Sequence, residues 1–404
     1  MTRERADVTS EERHEARYQR RKARRLARHP EMKNYNEVFT YEHLYLSYLK
    51  CRRGVAWKRS VQNYIVQAPL LVYQTWRELM AGRYKERKFD QFDLYERGKK
   101  RHINSIVIRD RVVHKALSDY ALDPVLSASY IYDNGASLKN KGYHFSIRRL
   151  VAHLQRHYRK HGSNGYILTF DFHGYFDHVD HDWCMHLIHK HRFDARIMQF
   201  VQRFLDTYGE RGVGLGSPVS QTMALLSANP MDHYIKEKLR IQHYGRYMDD
   251  GYLIHESKDV LRECLDHIRV LCQVLNIELN ENKTQIVKLT HGFTYLKTRF
   301  FLTKTGKVVR KIYKRSVVKQ RQKLKKLRKK LDAGIITFED VYHNFQSWTA
   351  YARNFGSWHT IQNMKKLYLQ LYHDDHFLYV ATHSKRKIRR IYNCGDGFGM
   401  EVAA

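Results

Sequence analysis

Two aspartates stand side by side in the tetrapeptide Tyr247-Met248-Asp249-Asp250, with residues 241–246 before them and Gly251-Tyr252-Leu253-Ile254 behind. The flanks read as two short strands joined at the acids, a hairpin with an acidic tip. Neighbouring carboxylates raise each other's pKa unless a cation intervenes, and a set made only of oxygen donors suits Mg²⁺. Such a tip needs a third carboxylate nearby. Asp171, 78 residues earlier, follows the apolar run 166–170, which reads as a buried strand that the aspartate terminates.

The segment from Asp171 through Phe172, Phe176 and Asp180, taken with the tetrapeptide, resembles motifs A and C of the reverse transcriptase family. Four further stretches follow the family's order. Gly214-Leu215-Gly216-Ser217-Pro218-Val219-Ser220-Gln221 resembles motif B, Leu279-Asn280-Glu281-Asn282-Lys283-Thr284 resembles motif D, residues 293–300 resemble the primer grip, and residues 98–103 with 110–117 resemble the fingers of bacterial members. The resemblance implies an α+β chain with the right-hand polymerase architecture of fingers, palm and thumb, an antiparallel palm sheet and a helical thumb. Its expected divisions are a basic N-terminal extension over 1–40, fingers over 41–165, palm over 166–303, and a helical thumb with a tail over 304–404.

The activity implied is RNA-directed DNA polymerisation, a nucleotidyl transfer in which two Mg²⁺ ions roughly 3.5–4 Å apart clamp the attacking 3′-hydroxyl and the leaving pyrophosphate. By resemblance Asp171 and Asp249 bridge the ions, Asp250 stands beside them, and the backbone carbonyl of Phe172 adds a ligand. Positioning and charge stabilisation dominate phosphoryl transfer. Lys99 and Arg101 match the fingers cations over the triphosphate, and Lys283 matches the motif D lysine that protonates pyrophosphate. In a chain with 73 Lys and Arg, each of these also reads as a solvated surface charge.

Phe176, five residues after Asp171, matches the aromatic ring under the sugar. It would clash with a 2′-hydroxyl, selecting deoxynucleotides; the plain alternative is a core phenylalanine. In motif B, Leu215 precedes Gly216 and Gln221 follows Ser220, a pattern that resembles the reverse transcriptases of diversity-generating retroelements, with relatives linked to antiphage defence sharing neighbouring variations. An aliphatic side chain at Leu215, where most bacterial relatives have glutamine, implies relaxed fidelity. From another functional class, a maturase-like RNA-binding protein assisting intron splicing is the alternative; the three aspartates and Phe176 count against it.

A net charge of +32 and a pI near 9.9 point to a polyanionic partner, and 29 Tyr with 18 Phe supply rings for unpaired bases. The expected partners are an RNA template, an RNA–DNA duplex and dNTPs, with an accessory protein or a second copy. A capping box at Thr9-Ser10-Glu11-Glu12 predicts a very basic helix ending before Pro30, read either as an RNA-binding extension or as a solvated helix. Beyond the primer grip the pattern predicts a basic helix over 314–331 stopped by Gly334, a second opening at Thr337 with Asp340, and a third over 357–372. Trp348 on the second reads as thumb core or as a stacking platform. That stretch is expected to hold no nuclease, RNase H or protease, and 395–404 is expected to be a short tail. His173, His178 and His181 with Asp177 and Asp180 read as a loop entering a helix over 180–191. The five cysteines lack CxxC spacing, and no apolar run reaches the roughly 18 residues of a membrane span. The expected setting is the cytoplasm of a bacterium, or a phage-encoded protein.

Overall fold

The computed structural model describes residues 33–96 and 99–392, without the side chains of residues 96, 99–102 and 383–392. The basic helix expected before Pro30 and the tail over 395–404 lie outside the described residues. Two compact units emerge. One comprises the described residues up to His161 with Gly165–Val287, and the other comprises Gly162–Asn164 with the described residues from Lys288 on.

The first unit is built on a sheet of order β4-β5-β3-β6, with β7 also pairing β3. Its strands are β3 (Tyr166–His173), β4 (His243–Tyr247), β5 (Asp250–His255), β6 (Glu278–Leu279) and β7 (Gln285–Lys288). The central ladder is antiparallel and pairs Phe170 with Gly251 and Asp171 with Asp250. Gly251 has to be glycine, because a Cβ there would stand 2.1 Å from the Phe170 ring. The helix Lys258–Val274 buries Leu261, Cys264, Ile268 and Cys272, one stripe at helical spacing, and packs on β3 and β5. Ser257 caps it by accepting the amides of Asp259 and Val260. N-terminal to the sheet, the hairpin of β1 (Asp90–Glu96) and β2 (Lys99–Ser105) precedes the helix Ile108–Leu117.

β3 is longer than the pattern predicts. Asp171 does not terminate it, because Phe172 and His173 go on to pair with Leu279 and Glu278. β4 starts at His243 rather than at 241, and the helix expected over 180–191 spans His181–His189, capped as expected by Asp180, which accepts the Trp183 amide at 2.8 Å.

The second unit has a three-stranded antiparallel sheet, β10-β9-β8, from β8 (Phe293–Tyr295), β9 (Thr298–Leu302) and β10 (Val308–Ile312), then three helices. β8 and β9 join through Leu296 and Lys297, both at positive φ (46° and 60°), the left-handed pair a two-residue hairpin requires. The helix Lys314–Asp332 ends as predicted. Gly334, at φ +67°, donates to the Leu331 carbonyl while Ile335 donates to that of Lys330, a Schellman closure. Thr337 and Asp340 form the predicted capping box of the helix Phe338–Arg353. Trp348 resolves as core, 8% exposed among Val341, Phe345 and Tyr368. The third predicted helix, over 357–372, starts at Trp358 and breaks at Tyr372, with a further helical segment following it to Tyr392. The Tyr372 hydroxyl donates to the Leu324 carbonyl.

Candidate active site

The carboxylates meet because of the sheet. Residues directly opposite in an antiparallel ladder have Cβ atoms roughly 4.5–5.5 Å apart, and Asp171 on β3 faces Asp250 at the start of β5. Tyr247 pairs with Asp250, so Met248 and Asp249 form a two-residue turn. The Phe172 amide donates to the Asp249 carbonyl at 3.2 Å, tying that turn back to β3. All three predicted carboxylates are therefore brought together, along with the backbone of Phe172.

Burial, then the charges of Asp249 and Asp171, push the Asp250 carboxyl up to about 7, against the opposing pull of Lys283. Lys283 is the fourth predicted residue at this centre. Its ammonium lies 2.5 Å from Asp171 Oδ1, which also accepts from Asn280 Nδ2 at 3.2 Å. The Asn280 amide donates to the Asp171 backbone carbonyl at 2.8 Å, and Lys283 closes a turn on the Asn280 carbonyl at 3.0 Å. The motif D segment is thus latched to Asp171 through both backbone and side chain.

Among the described residues no three His, Cys, Asp or Glu side chains are arranged as a ready metal cage. The donor chemistry nonetheless fits hard divalent cations. Three carboxylates crowd the turn end of the β3–β5 pair, burial and the neighbouring charges raise the pKa of Asp250, and a lysine sits on the Asp171 oxygen as countercharge.

The predicted nucleotide-binding residues are spread over the motif A turn, the motif B segment and β2. Phe176 sits on the short turn Tyr175–His178, half-buried, edge-on to Tyr175 with ring centroids 6.2 Å apart. Its carbonyl accepts the Val213 amide at 2.7 Å, which joins the motif A turn to the approach of motif B. There Leu215 is half-buried and Gly216 is exposed at φ +110°, a conformation closed to most side chains. Ser217 caps the helix Pro218–Ser227 by accepting the Val219 amide, and its hydroxyl meets His114 Nδ1 at 3.3 Å. Gln221 is exposed one turn into that helix. Lys99 and Arg101 lie on β2 opposite Glu96 and Leu94, and their side chains are outside the described residues.

Sequence reasoning missed Asn280 as a partner of Asp171. It also missed the buried ion pair of Arg246 with Asp232, both side chains 0% exposed. The run Gln242-His243-Tyr244-Gly245-Arg246 is too polar to announce a buried charge, and the partner shows only in the fold, where an arginine is almost never fully buried unpaired.

Residues 86–300, more than half of the chain, match the family described as reverse transcriptase (RNA-dependent DNA polymerase). The chain is 23% identical to Protein YkfC of Escherichia coli (strain K12), over 54% of this chain and 68% of that protein. It is similar to apo telomerase from Candida tropicalis, truncated from its C-terminal domain, at a TM-score of 0.41 and 13% identity, over 55% of this chain and 54% of that one. Telomerase from Candida albicans in complex with a fragment of telomeric RNA gives a TM-score of 0.47 at 12% identity, over 77% and 58%. This chain spans a little over half the length of those telomerase chains. The match that covers 86–300 contains Asp171, Asp249, Asp250 and Lys283, and by it the chain belongs to the reverse transcriptase family.

Proposed function

We propose that the chain copies a dedicated structured RNA into DNA, adding dNTPs at the Asp171, Asp249 and Asp250 centre with two Mg²⁺ ions. The observation that carries this reading is the β3–β5 register, which sets Asp171 opposite Asp250 with Asp249 in the adjoining turn. When bound, the ions supply Lewis acidity at the attacking 3′-hydroxyl and at the leaving pyrophosphate. Asp171 and Asp249 would hold both, with Asp250 and the Phe172 carbonyl beside them. Lys283, which pairs with Asp171, would give its Nζ proton to the leaving pyrophosphate. Lys99 and Arg101 bind the triphosphate, Phe176 excludes the 2′-hydroxyl, and Leu215, Gly216 and Gln221 line the nascent base pair. In this reading fingers, palm and thumb occupy 41–165, 166–303 and 304–404.

The motif B pattern at Leu215 favours mutagenic copying in a diversity-generating retroelement over antiphage defence, and the complete carboxylate set disfavours a maturase that barely polymerises. The setting is a bacterial cytoplasm, with an accessory protein or second copy as partner. Asp249→Asn tests the catalytic assignment. Primer extension on an RNA template should vanish, since a metal-bridging carboxylate contributes several kcal/mol of transition-state stabilisation, while RNA affinity persists. Extension at the native rate would sink the assignment.

A further inference from the structure

Arg246 lies in β4, its side chain wholly buried against an equally buried Asp232. Its Nε and Nη2 donate to the two Asp232 oxygens at 2.8 and 2.7 Å, and the Tyr244 hydroxyl gives the same carboxylate a third donor at 2.5 Å. Ion pairs buried this deeply are often replaceable by apolar side chains without loss of stability. Core stability is therefore a poor reason to keep one here, and the remaining donors of the guanidinium suggest another. Nη1 donates to the Met248 carbonyl at 2.8 Å, and Nη2 also reaches the Leu225 carbonyl at 3.2 Å. Met248 is the residue immediately before Asp249 and holds φ +56°, a left-handed conformation that a side chain with a Cβ resists. Leu225 belongs to the helix Pro218–Ser227, which the Leu215–Gly216 segment leads into and whose first turns carry Gln221. The Arg246 backbone is pinned as well, its amide donating to the Asp133 carbonyl and its carbonyl accepting the Gly135 amide.

We infer that Arg246 is a positioning residue for the polymerase reaction. Held by Asp232, its planar fork fixes Met248 in the left-handed conformation, sets the direction from which Asp249 presents its carboxylate, and ties the turn to the helix behind the motif B segment. The inference rests on the catalytic reading of that turn. A lysine could neutralise Asp232, but a single ammonium does not offer a planar fork that meets Asp232, Met248 and Leu225 together.

The test is single-turnover primer extension by the full-length protein on an RNA template at saturating dNTP and Mg²⁺. Arg246→Lys is expected to slow extension by about 30-fold, or ~2 kcal/mol, with RNA affinity and the dNTP KM within about threefold. Adding Met248→Gly to that variant should recover at least about fivefold, because glycine adopts a positive φ without needing to be held there. Tyr244→Phe removes a hydrogen bond from the same Asp232 without touching the turn, and should lower the melting temperature while leaving the rate unchanged. If Arg246→Lys does not fold, Asp232→Asn loosens the same guanidinium and carries the same expectations, recovery by Met248→Gly included. Parental rate in Arg246→Lys overturns the positioning role. So does a loss that follows melting temperature across all variants and ignores Met248→Gly. Asp249→Asn in the same assay separates the two ideas. If it extends at the parental rate the catalytic reading itself fails, whereas an inactive Asp249→Asn beside an unimpaired Arg246→Lys removes only the role of Arg246.

Discussion

Without a cation, the Asp250 carboxyl should destabilise the protein as it ionises. Its pKa rises from the ordinary 3.8 to about 7 through burial and the charges of Asp249 and Asp171. Between those values the folded state keeps a proton that the unfolded chain has lost, so stability falls as pH rises, by ~1.4 kcal/mol per pH unit, and the full difference of about 4 kcal/mol is reached above pH 7. Burial of His153 and His243 acts in the opposite sense. Their pKa values drop from 6.5 to about 3 and about 4, so their neutral forms add stability as pH rises toward 6.5 and mask the Asp250 effect in the parent's own profile. Subtracting the parent's profile from that of Asp250→Asn cancels the histidines. In urea unfolding with EDTA, the variant's advantage should grow from about 1.5 kcal/mol at pH 5 to about 4 kcal/mol at pH 8, and millimolar Mg²⁺ should shrink it by stabilising the parent. A difference that stays constant from pH 5 to 8 would refute the reasoning, since an uncrowded carboxylate is already ionised across that range.

Phe176→Ala should admit ribonucleotides by removing the ring beneath the sugar, raising rNTP over dNTP use by at least about tenfold, or ~1.4 kcal/mol, in single-turnover assays; an unchanged ratio would leave Phe176 as core alone. Leu215→Gln should lower misincorporation while holding correct incorporation within about tenfold, read by sequencing cDNA from a defined RNA. A low and even error spectrum in the native enzyme would remove the case for mutagenic copying and favour defence.

Features with local causes were legible in the chain. The acidic hairpin, the cap at Asp180, the box at Thr337 and the stop at Gly334 each depend on residues within a few positions of one another. What escaped depends on partners far along the chain. β3 outruns Asp171 because a two-residue strand, β6, arrives more than 100 residues later to pair with Phe172 and His173. The acid that buries Arg246 lies 14 positions back, beyond the strand in which the arginine sits. Lys283, expected as the proton donor to pyrophosphate, pairs with Asp171 112 positions away, a contact that no local pattern announces. The end expected at 372 falls where the backbone breaks at Tyr372, whose hydroxyl reaches Leu324; the helical segment that follows it was not foreseen.

The glycine beneath the Phe170 ring has a consequence for how the chain finds its fold. Left to electrostatics alone, β3 and β5 would prefer any alignment that keeps Asp171 away from Asp250, and a slip by one residue would also turn each strand's side chains to the opposite face. Gly251 acts as an index mark against that slip. Shifted one place in one direction, the ring would meet the Asp250 side chain; shifted in the other, it would meet Tyr252; only the aligned ladder leaves an empty site under it. The repulsive, reactive alignment is therefore selected by steric exclusion at the neighbouring pair, and the acids come together as passengers of a fit that involves neither of them.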